Sequence, residues 1–294
     1  MSRGLIVLTA AALLAMAPAA HAAESCDRSC LIGVADQYMD AMAAQKPAGL
    51  PWADKVRYSE NSVPMAIGDG LWGAISGHSK TALKVADPKT GEVAWIGETE
   101  EHGQPGFFAM TMKVEAGKIA AVDAVIRRSG GPPEYSDPGA WTPDPTFVET
   151  EKKPLPRAQL IAAVNGYLDA QEGKTSPVKF ASDCGRKVNG VVVTKGKTAT
   201  GGVEGCAAQL KAGVFRPIEK VRARRFAVVD EARGIVVVDG YQDFPEKLDA
   251  YAGRPAPAKY PYSLGFIAAF KIKDGGVYCV EEISTALPYR MPPP

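Results

Sequence analysis

The sequence has no excess of charge of either sign. Its 34 lysine and arginine residues balance 33 aspartate and glutamate residues, which leaves a formal net charge of +1. Nucleic acids and anionic membrane surfaces attract proteins through a strongly basic field. We therefore expect neither a nucleic acid nor a membrane among the partners of this protein.

Histidine is scarce, and the common catalytic motifs are absent. Three histidines occur in the whole chain, and none of them has the H-x-x-E-H type of spacing that binds zinc. No nucleophile elbow, Walker A sequence or dinucleotide-binding glycine motif is present. The sequence therefore predicts neither a metal nor a cofactor.

Long apolar runs are also lacking, apart from one at the start of the chain. Leu5–Met16 is apolar but too short to span a bilayer, and Arg3 precedes it. Ala20-His21-Ala22 has the pattern of a signal-peptidase site, which predicts a signal peptide over residues 1–22 and a mature chain from Ala23. The alternative is an N-terminal membrane anchor. We expect a soluble mature protein that is secreted or periplasmic.

Five cysteines follow the predicted cleavage site, and export would permit disulfides. Cys184 and Cys206 form the best pair, because they lie on either side of a glycine-rich turn region. Cys26 and Cys30 can bond only if the first helix starts after Cys26, since their side chains would otherwise run nearly parallel. Zinc binding is the alternative for that pair. Cys279 is then left as a small core residue.

Three pairs of similar segments occur in the same order along the chain. Two helical segments match, two turns between apolar runs match, and two further turns between strands match. The pairs are 31–41 with 160–170, 87–91 with 230–234, and 113–117 with 271–275. A tandem duplication is the economical explanation.

This repetition predicts an α+β protein with two tandem cone-shaped domains. Each would be a long helix packed on a curved antiparallel sheet whose mouth forms a pocket. The predicted first domain is 24–129, the linker is 130–156 and the second domain is 157–290. The two domains would pack sheet to sheet as an internal pseudo-dimer, and a further homo-oligomer remains open.

Short motifs in the two halves carry a family resemblance. They are Arg57-Tyr-Ser-Glu-Asn61, Gly68-Asp-Gly-Leu-Trp72, Asp183-Cys-Gly-Arg186, Asn189-Gly190, Cys206, Arg222-Ala-Arg-Arg225 and Pro288-Tyr289. With them, the layout resembles the nuclear transport factor 2-like superfamily, which includes SnoaL-like cyclases and ketosteroid isomerases. It resembles more closely an uncharacterised secreted family with two such domains, found in bacteria and fungi. That resemblance selects no reaction, since the superfamily hosts many.

The chain departs from this family pattern in its second half. Val188 stands where the family has a glutamate, and Phe244 stands where the family tends to have a histidine after Asp243. The resemblance therefore implies a degenerate second pocket and a first pocket that keeps Glu60-Asn61.

Four residues of the first half are candidates for catalysis. A desolvated Glu60 could act as a general base or acid, with Tyr58 and Asn61 stabilising an oxyanion. Histidine is the natural proton carrier among the side chains, and His78 could assist. The alternatives are a solvated Glu60, an Asn61 that closes a turn, and a surface or core His78.

Five residues are candidates for ligand binding. Trp72 is either an aromatic wall or core packing, and Arg127 either binds a carboxylate or faces water. Asp183 and Arg186 form either part of a site or an ion pair beside the disulfide. Asn189 repeats the asparagine of the first half, which suits a shared turn as well as a shared site.

Three functions remain open from the sequence. The first is an exported, cofactor-independent enzyme that acts by proton transfer on a small, partly apolar ligand. The second is a module that binds such a ligand without catalysis. The third is a protein-interaction module, which would have filled cone cavities and a large exposed apolar patch.

Overall fold

The computed structural model of the chain describes five stretches. They are residues 26–128, 141–247, 250–251, 254–255 and 260–294. The predicted signal peptide and residues 130–140 of the predicted linker lie outside them. Within the described stretches, no helix is long and apolar enough to cross a membrane.

The described part of the first half contains one α-helix and seven strands. They are α1 (Arg28–Ala43), β1 (Trp52–Glu60), β2 (Val63–Pro64), β3 (Ile75–His78), β4 (Leu83–Asp87), β5 (Glu92–Glu101), β6 (Gln104–Glu115) and β7 (Lys118–Arg128). Single 3₁₀ turns at Pro47–Gly49 and Gly70–Gly73 flank the first strands. Strands thus make up most of this half.

The second half follows the same order with more irregular segments. Its elements are α2 (Arg157–Gln171), β8 (Phe180–Val188), β9 (Val191–Val192), α3 (Cys206–Lys211), β10 (Lys220–Asp230), β11 (Ile235–Phe244), β12 (Ala250–Tyr251), β13 (Arg254–Pro255), β14 (Tyr262–Lys273) and β15 (Gly276–Pro288). Further 3₁₀ turns lie at Pro145–Val148, Gly196–Thr198 and Thr200–Gly202.

The predicted fold class is wrong, because both domains are dominated by strands and each large sheet is mixed, with one parallel pair among antiparallel ones. The first sheet has the order β2-β1-β7-β6-β5-β3, with β4 also paired to β5, and β1 and β7 run parallel. The second has the order β10-β11-β14-β15-β8-β9, and β8 and β15 run parallel. β12 and β13 form a separate pair. The two-part arrangement itself agrees with the sequence.

The error has a physical cause. Hairpin signals report pairing between strands that are neighbours in sequence. The first strand of each half instead inserts beside the last strand of that half, and such parallel pairing requires a long connection. No local pattern marks that contact.

The helix start decides the chemistry of the first cysteine pair. Asp27 caps α1 by accepting a hydrogen bond from the Cys30 N–H at 2.8 Å, so the helix begins at Arg28 and Cys26 lies outside it. Cys26 is accordingly bonded to Cys30. The second disulfide joins Cys184 to Cys206, and the remaining Cys279 is a buried free thiol.

Apolar side chains collect in three clusters. One joins α1 to the inner face of the first sheet, and one joins α2 and α3 to the inner face of the second. The third lies between the two sheets and takes residues from both, including Ile96 and Phe107 of the first half and Val237 and Ile267 of the second. Burial of both faces explains the nearly continuous apolar runs of the central strands.

The two halves are also joined by reciprocal ion pairs, here called the clasp. Arg28, the first residue of α1, donates two hydrogen bonds to the carboxylate of Asp230 in the second half. Arg157, the first residue of α2, donates one to Asp87 in the first half. The two aspartates begin the matching turns 87–91 and 230–234, so the duplication extends to this contact.

Candidate functional site

The alternation of β1 divides its side chains between two environments. Successive strand residues point to opposite faces. Tyr58 therefore points into the first core, together with Glu60, whereas Arg57 and Ser59 face the second half. Glu60 is only 4% exposed, which contradicts a solvated carboxylate at this position.

Hydrogen bonds hold the Glu60 carboxylate in this interior. The Tyr58 hydroxyl donates to Glu60 Oε1, and the Leu71 backbone N–H lies 2.9 Å and 3.0 Å from the two carboxylate oxygens. Burial raises the pKa of Glu60 above its usual value, and the bonds from Tyr58 and Leu71 oppose that rise. The site thus holds a carboxyl group whose proton affinity is increased by desolvation.

A glycine-rich segment closes over this carboxyl group. Residues 68–73, here called the cover, include Gly70, whose φ is +66°. A Cβ at Gly70 would lie 2.2 Å from Glu60 Oε2, so only glycine permits this approach. The motif Gly68-Asp-Gly-Leu-Trp72 therefore has a steric reason to follow the Glu60 strand.

Two aromatic residues complete the interior. Tyr38 of α1 is fully buried, and its ring meets the ring of Trp72 edge to face at 5.3 Å. Burial and the nearby charge of Glu60 raise the pKa of Tyr38. The structure thus brings Tyr58, Glu60 and Trp72 together and adds Tyr38. In the sequence, Tyr38 is only one of the positions of segment 31–41 that recur in segment 160–170.

His78 lies elsewhere in the first half. Its Nε2 is 3.0 Å from Asp40 Oδ1, and its Nδ1 is 3.3 Å from the carbonyl of Ser79. Its ring also meets Trp95 edge to face. Both ring nitrogens therefore have partners other than Glu60.

The two predicted asparagines make the same contacts in both halves. The Asn61 side chain accepts from the Ile126 N–H at 2.8 Å and donates to the Ile126 carbonyl at 3.2 Å. Asn189 does the same with Ser284, at 2.9 Å and 3.1 Å. Each has a positive φ at the end of its strand. Each side chain extends the parallel pairing of β1 with β7, or of β8 with β15, by one step.

The last strand of the first half places Arg128, not Arg127, on the sheet face that carries Glu60, and the Arg128 side chain is 54% exposed at the edge of that face. Arg127 shares the outer face of β7 with Asp123 and Val125, by strand alternation. The charge of Arg128 lowers the pKa of Glu60, and its Nε donates to Glu101 at 2.8 Å. Sequence reasoning missed this residue because alternation alone left open which of the two faces inward.

Asp183 and Arg186 differ in burial, although both contribute to the lining of one surface pocket of about 340 Å³. Asp183 is exposed, whereas Arg186 is 7% exposed and points into the second core. Arg186 Nη1 donates to Gln209 Oε1 at 3.2 Å, and its guanidinium lies 4.9 Å above the ring of Phe215.

A buried carboxylate also occupies the second interior, but on the neighbouring strand. Glu60 is paired across its sheet with Ala124, and the equivalent Val188 is paired with Glu282. Burial raises the pKa of Glu282, and the charge of Arg186 opposes that rise. Glu282 on the neighbouring strand thus supplies the buried carboxylate that is missing at Val188. The sequence signal was weak, because Glu282 follows another glutamate in an apolar strand.

The described residues offer no ready site for a metal ion. No group of three or more histidine, cysteine, aspartate or glutamate side chains among them is arranged to hold one. Four of the five cysteines are occupied in disulfides.

Comparison with solved structures finds only partial likenesses. A de novo designed protein with a curved β-sheet is 16% identical, covering 34% of this chain and 87% of its own, with a TM-score of 0.29. A protein of unknown function with a cystatin-like fold from Methylobium petroleophilum is 12% identical, covering 37% and 83%, with a TM-score of 0.31. AclR, a putative hydroxylase from Streptomyces galilaeus, is 10% identical, covering 45% and 81%, with a TM-score of 0.27. These scores are too low to support an argument about fold or activity.

Comparison by sequence is more informative. No curated protein matches the chain. One family model, described as a domain of unknown function (DUF8021), matches residues 24–126 and 153–284. These two spans correspond to the two halves and leave out the connecting segment. The chain therefore belongs to the DUF8021 family, with the family's domain laid out in two tandem parts.

Proposed function

We propose that the protein is an exported enzyme whose first domain acts on a small, partly apolar ligand by proton transfer. Isomerisation, elimination and hydration are the reactions of this type. The observation that carries the proposal is the Glu60 carboxyl group, buried beside two phenols under the cover. The two disulfides support export, because such bonds persist in oxidising compartments. A likeness to the nuclear transport factor 2-like superfamily is part of this proposal.

The contacts of the interior give each residue a role. Glu60 takes a proton from the ligand, and its raised pKa makes it a stronger base than an exposed carboxylate. Burial also raises the pKa of Tyr58 and of Tyr38, so both phenols stay protonated. Tyr38 can therefore donate a hydrogen bond to a developing oxyanion, and Tyr58 can do so once its hydroxyl leaves Glu60. Asn61 and His78 have no part here, because their side chains are bonded elsewhere.

Access to the interior requires movement of the cover. Glu60, Tyr38, Tyr58 and Trp72 are each less than 5% exposed, so a ligand cannot reach them in the closed arrangement. Opening residues 68–73 would break the bond between the Leu71 N–H and Glu60 and free the carboxylate. Gly68 and Gly70 both have positive φ, and glycine suits hinges at such positions.

Replacing Glu60 with glutamine should abolish turnover and leave ligand binding intact. The amide keeps the shape of the side chain but cannot accept the proton. We would screen residues 23–294 by thermal shift, wild type beside Glu60→Gln, against sugars, phenolics, steroids and small carboxylates. A compound that stabilises the variant and is consumed by the wild type is the expected result.

The other outcomes of this screen identify the competing functions. Equal stabilisation of both proteins without turnover would mean a binding module. No shift of the melting temperature with any compound would favour a protein-interaction module and contradict ligand binding at Glu60. Ser76→Ala, an exposed hydroxyl on β3, is the matched control and should behave as wild type.

Glu60→Gln should also change how stability depends on pH. A carboxyl group with a raised pKa ionises first in the unfolded chain, so the wild type loses stability as the pH rises from the ordinary value of 4.5 to the folded value. Glutamine removes this contribution. Urea unfolding between pH 4 and pH 8 should therefore show a smaller loss for the variant. Parallel curves would mean that Glu60 titrates normally.

A further inference from the structure

A second site with polar walls lies between the two halves, on the opposite face of β1 from Glu60. It is a cleft of about 210 Å³ formed by β1 and β7 of the first half and by β10, β11, β14 and β15 of the second. Its polar lining includes Arg57, Ser62, Asp123, Arg225, Asp239 and Tyr241. We call it the interdomain cleft.

A bulge in β10 directs an arginine into this cleft. The pairing of β10 with β11 shifts register between Arg222 and Arg225, and Ala223 has a φ of +50°. Arg224 consequently binds Asp169 of α2 at 2.7 Å, whereas Arg225 reaches across to the first half. Arg224 and Arg225 therefore both form ion pairs within the protein. Bulges commonly re-aim side chains beside binding sites.

The charges of the cleft are already balanced within it. Arg57 donates to both carboxylate oxygens of Asp123. Arg225 Nη2 lies 2.7 Å from Asp239 Oδ2 and 3.1 Å from Asp123 Oδ2. An external carboxylate or phosphate would have to displace these partners to be bound bidentately, and an external cation would have to displace the arginines. The cleft therefore disfavours charged ligands.

Hydrogen-bonding capacity nevertheless remains along the walls. The Asp239 side chain is 20% exposed and that of Arg57 is 47% exposed, so both can be reached. Burial raises the pKa of Asp239 to about 7, and its carboxyl group can thus donate or accept near neutral pH. The hydroxyls of Ser62 and Tyr241 lie 2.7 Å apart, and either can be the donor.

Apolar side chains supply the rest of the lining. Val125, Phe266 and Leu287 lie among the polar groups. The volume is below the roughly 300–1,000 Å³ typical of sites for drug-sized ligands. A ligand must therefore be small, with hydroxyl groups on one side and C–H groups on the other.

We propose that the interdomain cleft binds a small neutral polyhydroxylated molecule of monosaccharide size. Its hydroxyls would bond Asp239, the exposed N–H groups of Arg57, and the Ser62–Tyr241 pair. Its C–H face would lie against Phe266 and Leu287. The site is independent of the proton-transfer chemistry proposed for Glu60.

Saturation-transfer NMR on residues 23–294 tests this proposal. The probes are D-glucose, D-galactose and myo-inositol as neutral polyols, and benzoate as an anion. We expect at least one polyol to give a saturable signal, and benzoate to give none. Asp239→Asn should weaken polyol binding at least about tenfold, and Ser62→Ala about threefold, as expected for loss of a charged and of a neutral hydrogen bond.

The controls separate loss of binding from loss of fold. Lys118→Met removes an exposed amine on β7 that lies 3.7 Å from an oxygen of the exposed Asp54. This variant should bind the polyol as the wild type does. Ser62→Ala carries the test if Asp239→Asn does not fold. The proposal is overturned if no polyol saturates, if benzoate binds instead, or if polyol binding is equal in the wild type and both cleft variants.

Discussion

Replacing both clasp arginines with methionine is expected to lower the free energy of unfolding by about 4–6 kcal/mol. Each substitution leaves a carboxylate that is almost completely buried, since Asp87 and Asp230 side chains are 2% and 1% exposed. Breaking a buried ion pair costs about 3–5 kcal/mol. Arg28 and Arg157 are about one third exposed, so we expect about 2–3 kcal/mol for each pair.

The position of these arginines supports this estimate. A positive charge at the first residue of a helix opposes the helix dipole. Both long helices nevertheless begin with arginine, at Arg28 and Arg157. The stabilisation that each arginine provides must therefore come from its aspartate in the other half. Asp87 also accepts a hydrogen bond from the Val229 N–H of the second half at 3.2 Å.

Urea unfolding of the two single variants and the double variant measures the effect. The pairs lie in one cluster, because the charge of Asp87 acts on Arg28. The sum of the two single effects is the reference, and any deviation of the double variant from it measures the coupling between the two pairs. Arg290→Met, which removes an exposed pair with Glu219, is the control and should destabilise the protein much less than either clasp variant. Equal losses of stability in Arg290→Met and in the clasp variants would refute the stabilising role of the clasp.

Gly70→Ala is expected to destabilise the first domain by about 2–5 kcal/mol. Of this, about 1–2 kcal/mol comes from placing a side chain at a left-handed backbone position. A further 1–3 kcal/mol, roughly, comes from overpacking, because the new Cβ would lie 2.2 Å from Glu60 Oε2. The carboxylate would have to leave the Leu71 N–H, which leaves a buried polar group without its partner.

Gly117→Ala is the matched control for this prediction. Gly117 has a similar φ of +75°, but nothing lies within 4 Å of its Cβ position. It should therefore show only the backbone cost, and the difference between the two variants measures the contact with Glu60. Glu60→Ala should partly rescue Gly70→Ala, since it removes the atoms that the new methyl group meets. Equal melting temperatures for both glycine variants would mean that the close approach of Gly70 to Glu60 does not affect stability.

Local features of the chain were predictable from the sequence. The helical period located α1 and α2, and the turn sequences located hairpins such as β4–β5 and β14–β15. The motif around Tyr58 and Glu60 identified Glu60 as a candidate residue but left a desolvated and a solvated carboxylate both open. These features depend on residues within one or two turns or strands, where side-chain period and turn chemistry determine structure.

Features that depend on distant pairing were not predictable. The parallel insertion of β1 beside β7 joins segments about sixty residues apart, and it decides that Arg128 rather than Arg127 faces Glu60. The same insertion in the second half places Glu282 opposite Val188. The register between two strands is set by the whole sheet and both of its buried faces, which no short window of sequence contains.

The sequence by itself determined the duplication, the placement of the long helices, and the residue types at each turn. Only the tertiary structure decided which faces of the two sheets meet, and thereby formed the clasp and the interdomain cleft. The physical reason is that both involve side chains more than a hundred residues apart, such as Arg28 with Asp230 and Arg225 with Asp123. Their proximity exists only once two separately patterned sheets have packed together.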